Sequence, residues 1–412
     1  MNAIAQRSSE EADIRPFRVT VRETELAELV RRLNMTRWPE RETVPDKSQG
    51  VQLATMQGLA RYWATGYDWR KIEAKINSFP NFITEIDGLD IHFIHVRSKH
   101  EEALPLLISH GWPGTIIEQL KILEPLTNPT AYGGSAADAF HLVVPSMPGY
   151  GFSAKPTASG WGPARIARAW VTLMKRLGYS RYVAQGGDWG SLVTEQLAVL
   201  APPGLMGIHT NMPGAVPPDL DAAAFTGAPR LTVDEQGAYQ QLLSVYRHVY
   251  YAFYMASRPQ TLTGLADSPV GLAAFLIDPD AAPVAVANFL TDSDSRSPEP
   301  IACPVDGWRE GITRDDVLDM VTLFWLTNTG VSAARLYWEN KLPYFAPKGI
   351  SIPVAVSVFP KELYVCPRSW AERAYPKLIH YNKLDRGGHF AAWEQPKLFS
   401  EELQTGFRSL RA

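Results

Sequence analysis

The sequence predicts an α/β fold in which helices flank a mostly parallel central sheet, extended by a helical lid and an N-terminal arm. Apolar runs of strand length alternate with stretches of helical spacing. A glycine-bracketed turn joins one such strand to a helix, and the alternation breaks between 213 and 345 before it resumes. We therefore divide the chain into an arm (1–80), a first core part (81–212), a lid (213–345) and a second core part (346–412).

The composition is that of an ordinary soluble globular protein. Of 412 residues, 45% are hydrophobic and 20% charged, and the net charge of -3 argues against a nucleic-acid partner. Cys303 and Cys366 form neither a disulfide framework nor a metal motif. The polar start, 1–14, is neither a signal peptide nor a membrane anchor. We expect a soluble, cytoplasmic protein without metal or cofactor; a homodimer is considered, but no motif indicates one.

The predicted elements follow from periodicity and from glycine and proline breaks. Residues 1–14 are expected to be a disordered tail. The arm contains a short strand and three helices, at 17–21, 26–33, 56–62 and 69–76. The core strands are predicted at 82–85, 91–97, 104–109, 140–145, 179–184, 205–210, 352–359 and 377–383. Core helices are predicted at 164–177, 191–200 and 400–410.

The turn Gly186-Gly187-Asp188-Trp189-Gly190 carries the clearest chemical signal. A Gly-x-nucleophile-x-Gly pattern between a strand and a helix is the nucleophile elbow of the α/β-hydrolase architecture. Glycine is needed because the backbone turns too sharply there for a Cβ atom. Asp188 stands where most such folds carry serine or cysteine, so the nucleophile is predicted to be a carboxylate.

An elbow nucleophile needs a histidine base and an acid that orients it. Of the nine histidines, His389 follows the last predicted strand and a pair of glycines, where this architecture places its base. Glu362 follows the preceding strand and is the favoured acid. Asp385 is a weaker candidate because it is close to His389 in the same loop.

The segment His110-Gly111-Trp112-Pro113 ends the strand predicted beside the elbow. The backbone N–H groups of Trp112 and Trp189 are predicted to form an oxyanion hole. His110 is interpreted mainly as a structural residue that holds the loop. Together with Tyr254 of the lid, His110, Trp112 and Pro113 are also assigned to the substrate pocket.

A carboxylate nucleophile displaces a leaving group at an sp³ carbon and leaves an ester on the enzyme. Water activated by His389 can then hydrolyse that ester. This chemistry suits epoxides and haloalkanes better than amides or ordinary esters.

Epoxide opening also requires a proton donor in the lid, and tyrosine can serve. The lid offers several tyrosines, and the pattern alone does not choose among them: Tyr246, Tyr250, Tyr251, Tyr254 and Tyr337.

Five motifs in combination resemble the microsomal-type epoxide hydrolases. The resemblance runs from about residue 15 to the end of the chain. It includes the N-terminal arm, which the general α/β-hydrolase population lacks. The motifs are Arg37-Trp38-Pro39, His110-Gly111-Trp112-Pro113-Gly114, Gly187-Asp188-Trp189-Gly190-Ser191, Asp267-Ser268-Pro269-Val270-Gly271-Leu272-Ala273-Ala274 and Gly387-Gly388-His389-Phe390-Ala391-Ala392.

The resemblance implies Asp188 as nucleophile, His389 as base and Glu362 as acid, with an epoxide and water as substrates. It also implies Tyr251 and Tyr337 as the lid proton donors. The family's usual glycine before the first of these tyrosines is Tyr250 here, so that assignment can shift by one residue.

Two other functions are retained. A haloalkane dehalogenase would use the same aspartate and histidine, with Trp189 as a halide donor, but would have no use for the tyrosine pair or the arm. A non-catalytic binding protein on this fold would be expected to have lost part of its triad. The identity of the epoxide and the selectivity of its opening are not encoded in any motif.

Overall fold

A nine-stranded sheet organises the part of the chain that the computed structural model describes, residues 13–45, 48–223, 231–278 and 312–411. Cys303, most of the predicted tail and the proline-rich stretch 296–307 lie outside the described residues. The strands are β1 (Arg15–Phe17), β2 (Asn81–Ile86), β3 (Leu89–Val96), β4 (Leu104–Ser109), β5 (Phe140–Pro145), β6 (Tyr182–Gly186), β7 (Leu205–Thr210), β8 (Val354–Val358) and β9 (Leu378–Lys383).

The strands lie in the order β1-β2-β3-β5-β4-β6-β7-β8-β9. The pairs from β1 to β5 are antiparallel, and the six strands from β5 to β9 are parallel. Every residue of β5, β6 and β8 is buried, as expected for parallel strands covered on both faces. The predicted α/β fold with a mostly parallel sheet is therefore confirmed. Because parallel strands end at one edge, the loops after β4, β6, β7 and β8 meet there.

Fifteen α-helices accompany the sheet within the described ranges. Four of the core helices pack in two pairs, α5 with α6 and α4 with α15. The helices are α1 (Glu23–Asn34), α2 (Leu53–Thr65), α3 (Trp69–Asn77), α4 (Leu120–Thr127), α5 (Pro163–Arg176), α6 (Trp189–Leu200), α7 (Pro218–Ala223), α8 (Val233–His248), α9 (Tyr250–Ser257), α10 (Pro269–Ile277), α11 (Arg314–Thr327), α12 (Gly330–Glu339), α13 (Arg368–Ala374), α14 (Ala391–Glu394) and α15 (Pro396–Gly406). No helix in the described ranges is long and apolar enough to cross a bilayer.

The N-terminal arm contacts more of the protein than the sequence predicts. Its strand β1 pairs antiparallel with β2 at the edge of the sheet, two residues earlier than expected. Its helices also contact the lid. Trp63 Nε1 donates to Thr322 Oγ1 of α11 at 2.9 Å, and the Tyr67 hydroxyl donates to Asp319 Oδ1 of the same helix at 2.7 Å. The arm therefore holds a lid helix as well as the core.

The segment predicted as a lid, 213–345, contains helices α7 to α12 and no strand in its described part. Two of these helices begin with a capping box, in which a threonine and an acidic residue three positions later satisfy each other's backbone N–H groups. These boxes are Thr232 with Glu235 on α8, and Thr313 with Asp316 on α11.

A buried ion pair anchors the chain where it returns from the lid to the sheet. Lys348 Nζ lies 3.0 Å from Glu195 Oε2 of α6, with side chains 6% and 1% exposed. Glu195 Oε1 also accepts hydrogen bonds from the Gly214 N–H at 2.7 Å and the Tyr375 hydroxyl at 2.6 Å. Lys348 donates further to the carbonyl oxygens of Tyr344 and Ala346, at 3.0 and 2.7 Å.

We predict that Lys348→Met destabilises the protein by about 3–5 kcal/mol, because removing one partner leaves a buried charge unpaired. Equilibrium denaturant unfolding measures the loss. Lys383→Met is the matched control, since Lys383 faces Asp234 at 3.8 Å on the surface and its removal should cost less than about 1 kcal/mol. Equal losses in the two variants would contradict the prediction.

Candidate active site

The nucleophile elbow is held in a strained backbone conformation. Asp188, between β6 and α6, has φ 49° and ψ -126°, a region that non-glycine residues rarely adopt. The turn lies directly against the end of β4: a Cβ atom on Gly190 would lie 2.0 Å from the carbonyl oxygen of Ser109. Glycine at 190 therefore permits the approach that pushes Asp188 into the site.

The two carboxylate oxygens of Asp188 have different partners. Oδ1 accepts a hydrogen bond from the Trp112 backbone N–H at 2.6 Å. Oδ2 accepts one from the Tyr344 hydroxyl at 3.1 Å and lies 3.5 Å from His389 Nε2. Trp189, the second predicted oxyanion donor, is the first residue of α6, where backbone N–H groups have no partner within the helix. Oδ1 thus lies at the predicted oxyanion hole, and Oδ2 faces the predicted base.

His389 and Glu362 are buried and directly hydrogen-bonded through Nδ1 and Oε1. Glu362 follows β8 and His389 follows β9, so the parallel strands bring the two loops together. Burial alone would lower the pKa of His389, but the carboxylates of Glu362 and Asp188 outweigh it and raise this pKa well above its usual value. Asp385, the weaker acid candidate, is exposed in the loop after β9.

Asn211 is a residue whose role at the site the sequence did not indicate. It follows β7, and its Nδ2 donates to Glu362 Oε2 and to the carbonyl oxygen of His389, each at 3.3 Å. Its Oδ1 accepts from Gln185 Nε2 at 3.2 Å. Asn211 therefore links acid and base. The available signal was its position after a central strand, where other proteins of this architecture carry the acid.

The loop after β4 is held by His110. This side chain is fully buried; its Nδ1 is 2.9 Å from the Gly111 carbonyl oxygen, and its Nε2 accepts from the Met147 N–H at 3.0 Å. With both ring nitrogens engaged by the backbone, His110 supports the loop and has no free atom for a substrate. Pro113 is buried in the same loop, after a cis peptide bond from Trp112.

The two lid tyrosines implied by the resemblance lie beside the indoles that flank the nucleophile. The ring of Trp112 stacks on Tyr251 of α9 at 5.1 Å and meets Tyr337 of α12 edge-on at 5.7 Å. Trp189 meets Tyr337 edge-on at 4.7 Å, and the two tyrosine rings are 6.2 Å apart. Burial raises the pKa of both phenols, and the charge of Asp188 raises it further. Both therefore keep their protons.

The neighbouring tyrosines of α9 do not join this group. Tyr250 is 65% exposed and Tyr254 46% exposed, and the Tyr254 hydroxyl accepts a hydrogen bond from Thr261. The buried face of the helix is marked by Met255, four residues after Tyr251. Tyr254 points about 100° away from Met255 around the helix, toward solvent. The sequence predicts Tyr254 in the substrate pocket, but in the structure it does not line this site.

Two further residues at the site were missed by the sequence analysis. Tyr344, which contacts the nucleophile, lies in an irregular segment after α12, outside any motif. Glu118 lies in the short 3₁₀ turn Ile116–Gln119, which follows the loop after β4 that contains Trp112. Burial raises the pKa of Glu118 to about 8, with a further contribution from the charge of Asp188. The carboxyl is therefore largely neutral at pH 7.

Glu118 borders a cavity of about 10 Å³ that also touches His389. Three buried oxygens lining it have no hydrogen-bond partner among the described residues: Glu118 Oε2, Gln119 Oε1 and Gln185 Oε1. A volume of this size admits one water molecule, and the three polar groups are enough to bind it. The arrangement can hold water beside the base.

This geometry defines a class of protein: an α/β-hydrolase with an aspartate at the nucleophile position of the elbow, a histidine–glutamate pair beside it and tyrosines of the lid segment packed on the neighbouring indoles. Residues 105–255 match the model of the alpha/beta hydrolase fold, and residues 14–119 match the model described as epoxide hydrolase N terminus. A putative epoxide hydrolase of Stigmatella aurantiaca is 50% identical, over 97% of this chain and 86% of that protein. The chain belongs to the epoxide hydrolase family.

More distant relatives cover the chain to the same extent. Epoxide hydrolase 1 of Sus scrofa is 33% identical over 96% of this chain and 89% of its own length. The crystal structure of juvenile hormone epoxide hydrolase from the silkworm Bombyx mori matches with a TM-score of 0.84 and 28% identity, over 97% of this chain and 96% of that one. Aspergillus niger epoxide hydrolase matches with a TM-score of 0.79 and 28% identity, over 97% of both chains.

We predict that Glu118→Gln changes how stability depends on pH. A carboxyl whose pKa is higher in the folded state stabilises fully below its unfolded value, near 4.5, and loses this contribution as pH rises to about 8. The neutral glutamine removes that loss. The free energy of unfolding of the variant relative to wild type, measured by denaturant unfolding, should therefore rise between pH 5 and pH 8, by a few kcal/mol at most, at about 1.4 kcal/mol per pKa unit.

The control is Glu401→Gln, which changes an exposed carboxylate on α15. A difference between Glu118→Gln and wild type that stays constant with pH would show that the Glu118 carboxyl does not hold a proton in the folded protein.

Proposed function

We propose that this epoxide hydrolase opens its substrate to a vicinal diol through a covalent ester on Asp188. In the first step, Asp188 Oδ2 attacks an epoxide carbon and the carbon–oxygen bond of the ring breaks. The epoxide oxygen takes a proton from the lid phenols of Tyr251 and Tyr337. A hydrogen bond to the ring oxygen before attack favours the same step.

In the second step, the ester is hydrolysed at the Asp188 carbonyl. His389 Nε2 removes a proton from water, and the water oxygen attacks Cγ. Negative charge develops on Oδ1, where the Trp112 N–H donates; that of Trp189 is proposed as the second donor. Glu362 orients His389 and stabilises its charged form. Breakdown releases the diol and regenerates the carboxylate.

The observation that carries the proposal is that the two oxygens of Asp188 have different partners. Oδ1 is held by a backbone donor at 2.6 Å, while Oδ2 lies on the side of His389. Such a carboxylate has one oxygen without a backbone donor, which can attack, and one already stabilised for the charge that hydrolysis creates.

Haloalkane dehalogenation is the second candidate. One observation favours it: the indole Nε1 of Trp189 is buried and without a hydrogen-bond partner among the described residues, as a halide-binding donor would be. The paired phenols of Tyr251 and Tyr337 have no part in that reaction. A non-catalytic binding role is disfavoured by the contacts among Asp188, His389 and Glu362.

The proposal also covers the location and the oligomeric state of the protein. We propose a cytoplasmic location, supported by a composition without a disulfide framework. A homodimer stays a prediction; exposed apolar rings on α9, Tyr250 and Phe253, offer one surface for it. Light scattering of the full chain tests it, and a monomer at all concentrations would reject it.

The first test is a parallel panel of epoxides and haloalkanes with wild type and Asp188→Ala. We expect diol formation that requires Asp188, without halide release. The alanine variant should keep the melting behaviour of a folded protein, so a lost activity reports on chemistry. Halide release from wild type would favour the dehalogenase, and diol formation by Asp188→Ala would reject the covalent mechanism.

The lid phenols are tested by Tyr251→Phe combined with Tyr337→Phe. Loss of both donors should slow alkylation of Asp188 by about 10²–10⁴-fold, because the epoxide oxygen then leaves without a proton. Rapid mixing with an epoxide, followed by intact-protein mass measurement, gives the rate. Tyr254→Phe is the control, since its hydroxyl is engaged with Thr261 at the surface. Unchanged alkylation in the double variant would assign the proton to another group.

A further inference from the structure

A third phenol touches the nucleophile more directly than the two lid tyrosines do. The Tyr344 hydroxyl donates to Asp188 Oδ2 at 3.1 Å. The carboxylate also contacts the Trp112 N–H through Oδ1 and His389 Nε2 through Oδ2. Burial raises the pKa of Tyr344 well above its usual value, with the charge of Asp188 as the next contribution. This phenol therefore keeps its proton in the resting protein.

The position of Tyr344 is fixed from two sides. Its ring meets Trp189 edge-on at 5.1 Å and Phe345 at 5.0 Å. Its carbonyl oxygen accepts from Lys348 Nζ at 3.0 Å, and Lys348 is paired with Glu195 on α6. The same helix begins immediately after Asp188, so nucleophile and phenol are tied to one rigid element.

The identity of the contacted oxygen decides what this phenol can do. Oδ1 is held by the Trp112 N–H and becomes the carbonyl oxygen of the ester. Oδ2 attacks the epoxide and becomes the bridging oxygen between Asp188 and the substrate. When water attacks Cγ, the bond that breaks is Cγ–Oδ2. Oδ2 then leaves with the diol and needs a proton, because an alkoxide is a poor leaving group.

We propose that Tyr344 is the general acid of the second half-reaction and donates its proton to Oδ2 as the ester breaks down. The inference rests on the proposed covalent mechanism. Its balance is complete: water gives one proton to His389 and its oxygen to Cγ, the electron pair of Cγ–Oδ2 goes to Oδ2, and the Tyr344 proton completes the diol. The proton held by His389 then returns to the Tyr344 phenolate. The second proton of water, left on the new carboxyl group of Asp188, passes to the lid phenolate formed in the first step, so every group regains its starting state.

The three phenols then act in different half-reactions. Tyr251 and Tyr337 pack on the Trp112 ring and serve the epoxide oxygen, which is the atom that leaves in the first step. Tyr344 serves the atom that leaves in the second step. In the resting protein its hydrogen bond also withdraws charge from the attacking oxygen, so its loss should not slow alkylation.

The test is Tyr344→Phe, followed by rapid quenching and intact-protein mass measurement with an epoxide that wild type hydrolyses. We expect alkylation at least as fast as in wild type and ester breakdown slowed about 10²-fold, so the adduct on Asp188 accumulates. The defect should be smaller for an epoxide with an electron-withdrawing substituent, because its diol oxygen leaves more easily without a proton.

The control is Tyr364→Phe, which removes a buried hydroxyl bonded to the Pro213 carbonyl oxygen and not to the nucleophile. It should leave both steps unchanged. Ester breakdown at the wild-type rate in Tyr344→Phe would overturn the proposal and assign the proton to His389. Slower alkylation with normal breakdown would instead make Tyr344 a donor to the epoxide. If no adduct forms even in His389→Gln, a variant in which ester breakdown should stall, the covalent mechanism fails, an outcome distinct from both.

Discussion

The close approach of the elbow to β4 is the constraint on which the site depends. Gly190 allows α6 to lie against the carbonyl oxygen of Ser109, and Asp188, two residues earlier, adopts a strained conformation with φ 49°. The strain aims the carboxylate at the loop that follows β4, where the Trp112 N–H meets Oδ1. The strand order places this loop next to the elbow, because β4 and β6 are neighbours and their loops lie at one edge of the sheet.

The strands on the other side of β6 supply the histidine and its two partners that lie beside the Asp188 carboxylate. The loops after β7, β8 and β9 deliver Asn211, Glu362 and His389. These three are bonded to one another and almost removed from solvent, so the charge on His389 is stabilised by fixed partners and not by water. From the lid segment, Tyr251 and Tyr337 pack against the indoles of Trp112 and Trp189, and the Tyr344 hydroxyl donates to Asp188.

The sequence was informative where a local pattern has a single structural solution. Strand positions and the elbow followed from periodicity and from glycines that no other residue can replace, and the observed core strands begin and end within three residues of those expected. Tyr344 could not be found this way, because it lies in an irregular segment and reaches Asp188 only through folding of the lid. Glu118 belongs to no motif in the sequence, and only its burial distinguishes it. Tyr254 lies on the exposed side of α9, an orientation that helical spacing alone did not give.

The contacts between the N-terminal arm and α11 change how the lid should be regarded in engineering. Tyr62, Trp63 and Tyr67 reach Asp315, Thr322 and Asp319 across more than 250 residues of chain. Two of the three acceptors are carboxylates, so a foreign lid placed on this core would meet phenols with no partner. We therefore expect that transplanting a lid to alter substrate range requires transplanting the matching arm with it.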